Sequence, residues 1–142
     1  MILYLDTSDL VKLYVEEEKS TKIRDSVSTC GVVATSIISY AEVRAAFARK
    51  FREGGLKEKF YRQFINDLDK DWENYFVLNL TENIVKSAGS LCEKYGLRGF
   101  DALHLASALF LKRNSSLSIL FSCSDIKLND VAKSEGFDVI ES

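Results

Sequence analysis

The chain has 142 residues, of which 46% are hydrophobic and 28% are charged, and its formal net charge is -2. These proportions are typical of one soluble globular domain and exclude a disordered or fibrous chain. A slightly acidic chain has no overall attraction for nucleic acid, so a polyanion would have to be held by a local basic patch or through bound cations.

The cysteines and the start of the chain bear on the compartment. Three cysteines lie far apart in a chain with one histidine, a pattern that argues against a zinc site or a disulfide framework. The opening "MILYLD" lacks the basic segment of a signal peptide, and no stretch reaches the roughly 18 apolar residues of a membrane span. We therefore predict a cytoplasmic protein with no membrane association.

Short apolar runs alternate with helical patterns along the whole chain. Strands are predicted at residues 1–6, 31–35, 75–80, 117–122 and 137–141. Helices are predicted over residues 7–15, within 18–28, and over 36–53, 56–72, 81–96, 97–110 and 125–136. This alternation predicts βαβ units, and therefore one α/β domain over residues 1–142 with a mainly parallel sheet covered on both faces.

Two of the predicted strands are followed by an aspartate, Asp6 in "ILYLD" and Asp125 in "ILFSCSD". Ligands of open parallel sheets bind beyond the carboxyl ends of the strands, where the strand order reverses. Each aspartate could equally be a helix N-cap, which stabilises a helix by about 0.5 to 2 kcal/mol. Both interpretations remain open for these two residues.

Asp101 lies in "LRGFDALHLASALF", a helical stretch that is apolar almost all round. Asp101, His104 and Ser107 are three residues apart and form its one polar stripe. Such a helix is expected to be buried, and a buried carboxylate must be paired, hydrogen bonded, protonated or bound to a metal. The helix dipole contributes only about 0.3 to 1 kcal/mol at this position, so Asp101 needs a further partner.

Glu42 lies at the edge of the apolar stripe of the helix predicted over 36–53. It could form a salt bridge to Arg49, or it could join the three aspartates. Four acids from four segments, without clustered cysteine or histidine, suit a hard cation such as Mg²⁺ or Mn²⁺. Such a cation supports phosphodiester hydrolysis, and it would allow an acidic protein to bind a polyanion.

Four stretches in this order resemble the PIN domain family, and within it the VapC-type toxins of toxin–antitoxin pairs: "YLDTSDLVKLYV", "ISYAEVRAAF", "YGLRGFDALHLASAL" and "FSCSDIKLNDVAKSEGFDVI". The resemblance covers essentially the full chain. It implies a three-layer α/β/α sandwich with a mainly parallel sheet of four or five strands, and a Mg²⁺- or Mn²⁺-dependent endoribonuclease acting on RNA. It also implies inhibition by a small cognate antitoxin, and it suggests a homodimer.

The resemblance also implies roles for individual residues. The acidic positions of the family fall on Asp6, Glu42, Asp101 and Asp125. We expect Asp6 and Asp101 to be the firmest metal ligands, with Asp125 and Glu42 weaker or acting through water. Ser8 matches the hydroxyl that commonly supports the first acid. Cys123 stands where the family often has threonine or serine, so Ser122 or Ser124 is expected to support Asp125 instead.

Other polar residues have two interpretations each. Arg44 and Arg98 are expected near the acids, where they could bind the scissile phosphate or neutralise carboxylates. His104 is more simply a hydrogen-bonded core residue than a catalytic one. The basic stretch 49–62 could hold RNA, but a solvated hairpin tip is the simpler interpretation.

The sequence therefore favours a metal-dependent ribonuclease toxin. The alternative is a catalytically silent PIN-like module that binds RNA or protein, against which the four intact acids argue. An aspartyl-phosphate enzyme or receiver domain also places an aspartate after its first strand. However, receivers usually carry adjacent acids there, and phosphatases of the haloacid dehalogenase type need Asp-x-Asp where this chain has "DTS".

Overall fold

The structure is a computed structural model, and it describes residues 1–141. Its strands are β1 Ile2–Leu5, β2 Val32–Ser36, β3 Phe76–Leu78, β4 Ile119–Ser122 and β5 Asp138–Val139. Its helices are α1 Thr7–Val11, α2 Ser20–Cys30, α3 Ile38–Arg52, α4 Glu58–Trp72, α5 Glu82–Tyr95, α6 Gly99–Arg113 and α7 Ile126–Ser134. Each predicted strand and helix has a counterpart in this order.

The five strands form one sheet in the order β3-β2-β1-β4-β5, and every pair is parallel. Strand β1 is central: Ile2 pairs with Val32 on one side and with Ile119 on the other. All four residues of β1 are buried. This explains why the strand reads as a continuous apolar run rather than as an alternating one.

Alternate residues of β1 face two separate hydrophobic cores. Tyr4 packs in a core that contains Leu91 of α5, Leu105 of α6 and Leu128 of α7. Leu3 and Leu5 pack in the other core, with Leu10 of α1, Ile23 of α2, Phe47 of α3 and Leu68 of α4. Helices therefore cover both faces of the sheet, which confirms the predicted three-layer α/β/α sandwich.

Helix α1 is shorter than predicted, since it ends at Val11 rather than at residue 15. The amides of Lys12, Leu13 and Tyr14 each donate to the carbonyl three residues earlier. Such i→i−3 bonds tighten the chain into turns of the 3₁₀ type at the end of a helix.

Helix α6 departs from the expectation that it is buried on all sides. Ala102 and Leu105 are fully buried, whereas Phe100 and Phe110 are 61% and 44% exposed. The helix therefore has an outer face, and Asp101 lies at its edge rather than deep in the core.

Helices α3 and α4 form the predicted helical hairpin. Phe47 and Phe64 have ring centroids 5.8 Å apart, and Phe51 stacks on Tyr61 at 4.6 Å. Phe60, at 47% exposure, lies outside this packing. Within residues 1–141, no helix combines the length and the hydropathy that crossing a bilayer requires.

Candidate active site

The carboxyl end of β1 lies where the strand order reverses. From β1 the chain passes to β2 and β3 on one side of the sheet, while β4 and β5 lie on the other. Such a position is where open parallel sheets bind ligands. A cleft of about 950 Å³ opens here, and it is lined by all four predicted acids: Asp6, Glu42, Asp101 and Asp125. We refer to it as the acidic cleft.

Asp6 is the most enclosed acid of the cleft, at 5% exposure. Its Oδ1 accepts from the backbone N–H of Asp9 at 3.0 Å, so it is the N-cap of α1. Ser8 Oγ donates to the same carboxylate at 2.8 and 3.0 Å, as the sequence predicted. Burial raises the pKa of Asp6 to about 6, although His104 and these hydrogen bonds offset part of the effect. No lysine or arginine among residues 1–141 forms a salt bridge with it.

Glu42 reaches the cleft from α3. Its Oε1 accepts from Thr7 Oγ1 at 2.5 Å and lies 3.4 Å from His104 Nε2. Burial pushes its pKa upward, but the hydrogen bonds from His104 and Thr7 outweigh burial and lower the pKa below its ordinary value. The alternative of a salt bridge to Arg49 is wrong, because Glu42 is held by α1 and α6 instead.

His104 is 3% exposed and fully hydrogen bonded. Its Nδ1 lies 2.9 Å from the Tyr4 hydroxyl, and its Nε2 faces Thr7 and Glu42. This agrees with the interpretation of a satisfied buried histidine. The sequence did not predict that its partner is one of the cleft acids.

Asp101 and Asp125 share one cation, Arg98. Arg98 Nε lies 3.2 Å from Asp101 Oδ2, and Arg98 Nη2 lies 3.8 Å from Asp125 Oδ2. The side chains of the two acids are 20% and 41% exposed, and that of Arg98 is 80% exposed. The expectation of a deeply buried Asp101 is therefore wrong. An exposed ion pair contributes little stability and opens readily to another cation.

Asp125 is also the N-cap of α7, since its Oδ1 accepts from the Leu128 amide at 2.8 Å. Cys123 does not support this carboxylate, because its thiol points to the Asp125 backbone carbonyl. The expectation that Ser122 or Ser124 takes over this support is wrong as well. Both hydroxyls donate to Asp9 instead.

Comparison with known proteins fits this arrangement of fold and cleft. A model of the PIN domain matches residues 3–134. The chain belongs to the PIN domain family.

Two relatives of this PIN domain are ribonucleases of Mycobacterium tuberculosis. Ribonuclease VapC45 is 36% identical over 112 residues, which cover 76% of this chain and 75% of VapC45. Ribonuclease VapC46 is 33% identical over 138 residues, which cover 97% and 95% of the two chains. These matches confirm the predicted resemblance to VapC-type PIN domains.

Solved structures agree on the fold. The chain of a toxin–antitoxin complex from Klebsiella pneumoniae matches this PIN domain with a TM-score of 0.61 and 18% identity over 83% of each chain. At this identity the likeness shows the shared architecture alone.

The basic residues of the acidic cleft are partly different from those predicted. Arg98 lines it, but Arg44 does not. Arg44 Nη1 donates to the Tyr40 hydroxyl at 2.9 Å, and the guanidinium lies over the Tyr40 ring. The reason is helical geometry: Arg44 is two residues, or about 200°, from Glu42 around α3.

Four charged residues that the sequence stage did not assign to the site also line the cleft: Lys12, Glu17, Arg49 and Lys50. Arg49 is seven residues after Glu42, which is two helical turns along the same face. That spacing was available in the sequence and would have selected Arg49 over Arg44. Lys12, four residues after Ser8, follows the same logic on α1.

The donor set of the cleft suits a hard cation, because it consists of carboxylates and a hydroxyl. Within residues 1–141, no three acidic, histidine or cysteine side chains lie close enough together to enclose a metal ion. Mg²⁺ typically keeps several waters and takes only one or two protein carboxylates, with substrate phosphate completing its shell. The cleft fits that open kind of site rather than a closed protein cage.

Proposed function

We propose that this PIN domain is a Mg²⁺- or Mn²⁺-dependent endoribonuclease and the toxin of a type II toxin–antitoxin pair. The observation that carries the proposal is Asp6, a buried carboxylate that the described residues leave without a neutralising side-chain cation at the rim of a cleft with three more acids. Burying a charge without a partner is costly, so such a carboxylate favours an added cation.

The ligand assignment follows from burial and pairing. Asp6 and Asp101 are the firmest ligands, since Asp6 has no competing cation in the described chain and Asp101 is only 20% exposed. Asp125 and Glu42 act more weakly or through water, because Asp125 is the more exposed and Glu42 already accepts two hydrogen bonds. The bound ion supplies an activated water and neutralises the charge of the scissile phosphate.

The cations of the cleft are suited to the RNA backbone. Arg98 bridges two of the acids, so when an ion takes over those carboxylates its guanidinium becomes free to bind a phosphate. Arg49 and Lys50 line the cleft from the last turn of α3. Phosphate contacts of this kind position RNA without reading its sequence.

The relatives support an RNA substrate and a protein inhibitor. VapC45 and VapC46 are named ribonucleases, and a structural neighbour is a toxin–antitoxin complex. We accordingly propose a small antitoxin as the partner of this chain. Homodimerisation and a cytoplasmic location remain predictions of the sequence.

RNA cleavage tests the enzymatic part. Purified protein is incubated with mixed RNAs in Mn²⁺, in Mg²⁺ or in EDTA, beside Asp101→Asn. We expect cleavage with either metal and none in EDTA or in the variant. Cleavage that persists in EDTA would overturn the metal mechanism. A folded wild type that binds RNA but cuts it under neither metal would favour the silent binding module.

Growth arrest tests the toxin assignment separately. Expression of the wild type is expected to arrest growth, and co-expression of a small neighbouring open reading frame is expected to relieve the arrest. Expression without any growth effect, from a protein that cleaves RNA in vitro, would overturn the toxin role and leave the ribonuclease intact.

A further inference from the structure

Asp9 is a fifth acid next to the acidic cleft, but it does not line it. It lies on α1 one turn after Asp6, and it is 0% exposed. A carboxylate with no access to water must have its charge and its lone pairs satisfied by the protein. The partners of Asp9 show what it is attached to.

Four side chains donate to the Asp9 carboxylate. Lys19 Nζ lies 2.8 Å from Oδ2, and Lys12 Nζ lies 3.3 Å from Oδ1. The hydroxyls of Ser122 and Ser124 donate to Oδ2 and Oδ1, respectively. Burial alone would raise the pKa of Asp9, but the hydrogen bonds from Lys19 and the two serines lower it below its ordinary value. Asp9 is therefore a carboxylate whose charge the protein itself balances.

Three of these contacts involve one short stretch, the segment 122–125 that joins β4 to α7 and ends in Asp125. Ser122 and Ser124 bond to Asp9, and the Cys123 carbonyl accepts from Lys19 Nζ at 2.7 Å. Every residue of the segment before Asp125 is thus bound to the Asp9–Lys19 ion pair.

Asp9 is also bound to the other side of the cleft. Its backbone N–H donates to Asp6 Oδ1 at 3.0 Å. One residue thus contacts Asp6 through its main chain and the approach to Asp125 through its side chain. The two acids come from different strands of the sheet, and nothing in the register of β1 with β4 fixes their side chains relative to each other.

We propose that the buried Asp9–Lys19 ion pair is a positioning device that fixes Asp125 relative to Asp6, and thereby sets the geometry in which the two acids share a cation. The inference rests on the proposed function. Asp9 and Lys19 are positioning residues, and neither touches substrate or metal.

The energetics of buried ion pairs agree with this role. Removing two charges from water costs about as much as their attraction returns, and well-packed apolar side chains often stabilise a fold equally well. Stability alone therefore does not call for a lysine and an aspartate at these positions. The pair does provide directed hydrogen bonds that apolar side chains cannot make.

The test replaces both charges with neutral side chains of similar shape, in Asp9→Asn/Lys19→Met. The matched control is Glu16→Gln/Arg24→Met, which removes an ion pair of 2.8 Å that is exposed and has no contact with segment 122–125. Leu91→Ala, in the core beside α5, reports what a comparable loss of stability does by itself.

Two measurements on RNA-free protein are decisive. In Asp9→Asn/Lys19→Met, the Mn²⁺ dissociation constant from calorimetry is expected to rise about 10- to 100-fold, which is the range for lost support of metal ligands. Hydrogen exchange at the amides of residues 123–128 is expected to accelerate. The exposed control is expected to change neither, and Leu91→Ala is expected to leave the Mn²⁺ constant within twofold.

Unchanged Mn²⁺ affinity in a folded Asp9→Asn/Lys19→Met would overturn the positioning role, as would unchanged exchange in residues 123–128. If that variant does not fold, Ser124→Ala removes only one link between Asp9 and the segment. It is expected to weaken Mn²⁺ severalfold, and no change would again overturn the inference. A wild type that binds no Mn²⁺ but shows the expected exchange difference would overturn the proposed metal mechanism while retaining Asp9 as the residue that orders Asp125.

Discussion

Asp6 and Asp9 lie one helical turn apart and are both buried, yet their surroundings are opposite. Asp9 accepts from two lysines and two serine hydroxyls, and its pKa is lowered. Asp6 accepts from one hydroxyl and one amide, and its pKa is raised to about 6. The protein balances one charge with its own side chains and leaves the other without a side-chain cation in the described residues.

This difference separates a structural carboxylate from a functional one. A charge that is already paired gains little from an added cation, whereas an unpaired charge at a cleft gains much. In the sequence the two residues look alike, since both are aspartates at the start of a helix. Only the position of Lys19 and of the segment 122–125 distinguishes them.

The largest test of this comparison is removal of the cleft acids. We expect Asp6→Asn to lower the rate of RNA cleavage by about 1,000-fold, because a catalytic metal supplies several kcal/mol and each 1.36 kcal/mol is tenfold in rate. Asp101→Asn is expected to be similar, and Asp125→Asn and Glu42→Gln are expected to be milder. Single-turnover cleavage at saturating RNA measures the rates.

Asp25→Asn, on the exposed face of α2, serves as the neutral control. A series in which Asp125→Asn lowers the rate more than Asp6→Asn would reverse the proposed ranking of ligands.

Much of the fold follows from the sequence, because its signals are local. The apolar run of β1, the Thr81 N-cap and the C-terminal Gly96 of α5 give the correct elements, and α/β alternation gives a parallel sheet. Three of the acids could be selected because a carboxylate after a buried strand or within an apolar helix needs a partner. The arrangement of their partners could not be predicted, because it depends on contacts between residues far apart in the chain.

Asp9 and Arg44 show where sequence reasoning fails. Asp9 has the composition of a helix cap, and its role depends on Ser122 and Ser124, more than a hundred residues later. Arg44 is close to Glu42 along the chain but lies on another side of α3, where it contacts Tyr40. Proximity in sequence was given more weight than the 100° that each residue turns a helix.

The pH dependence of stability separates the two aspartates by sign. The folded pKa of Asp6, about 6, exceeds its ordinary value of 3.8. Between these values the folded state holds a proton that the unfolded state has lost, so the free energy of unfolding falls as pH rises. About two pKa units at 1.36 kcal/mol each amount to about 3 kcal/mol. Asp9, whose pKa is lowered, has the opposite sign: its contribution is present above pH 3.8 and is lost as pH falls.

Urea unfolding of metal-free protein between pH 3 and pH 7 measures this. Relative to Asp6→Asn, the wild type is expected to lose stability from pH 4 to pH 6. Relative to Asp9→Asn, it is expected to lose stability on acidification below pH 4. Parallel curves for the wild type and Asp6→Asn would show that Asp6 ionises without a penalty, which removes its distinction from Asp9.

Glu42 represents a third arrangement, in which a histidine rather than a lysine faces the carboxylate. Tyr4→Phe removes the hydroxyl beside His104 Nδ1 and leaves that buried nitrogen without a partner. We expect a loss of about 1 to 2 kcal/mol in the free energy of unfolding, the usual cost of one unsatisfied buried group. Tyr95→Phe, whose hydroxyl contacts the partly exposed Glu135, is the matched control and is expected to change stability by less. Equal losses in both variants would mean that the Tyr4 hydroxyl does not anchor His104.

The smallest expected effect concerns the cations at the rim of the cleft. In an Asp101→Asn background, which prevents cleavage, Arg49→Ala/Lys50→Ala is expected to weaken RNA binding modestly. The slope of log K against log salt is expected to fall by about 0.7 for each phosphate contact of a single strand, hence by about 1.4. Arg44→Ala, on the same helix but outside the cleft, is expected to leave the slope unchanged because its guanidinium is held at Tyr40. Fluorescence anisotropy over a series of salt concentrations measures both slopes. If Arg44→Ala lowered the slope and the double variant did not, RNA would lie along the outer face of α3, and a cleft defined by its unpaired acid would no longer be where the substrate binds.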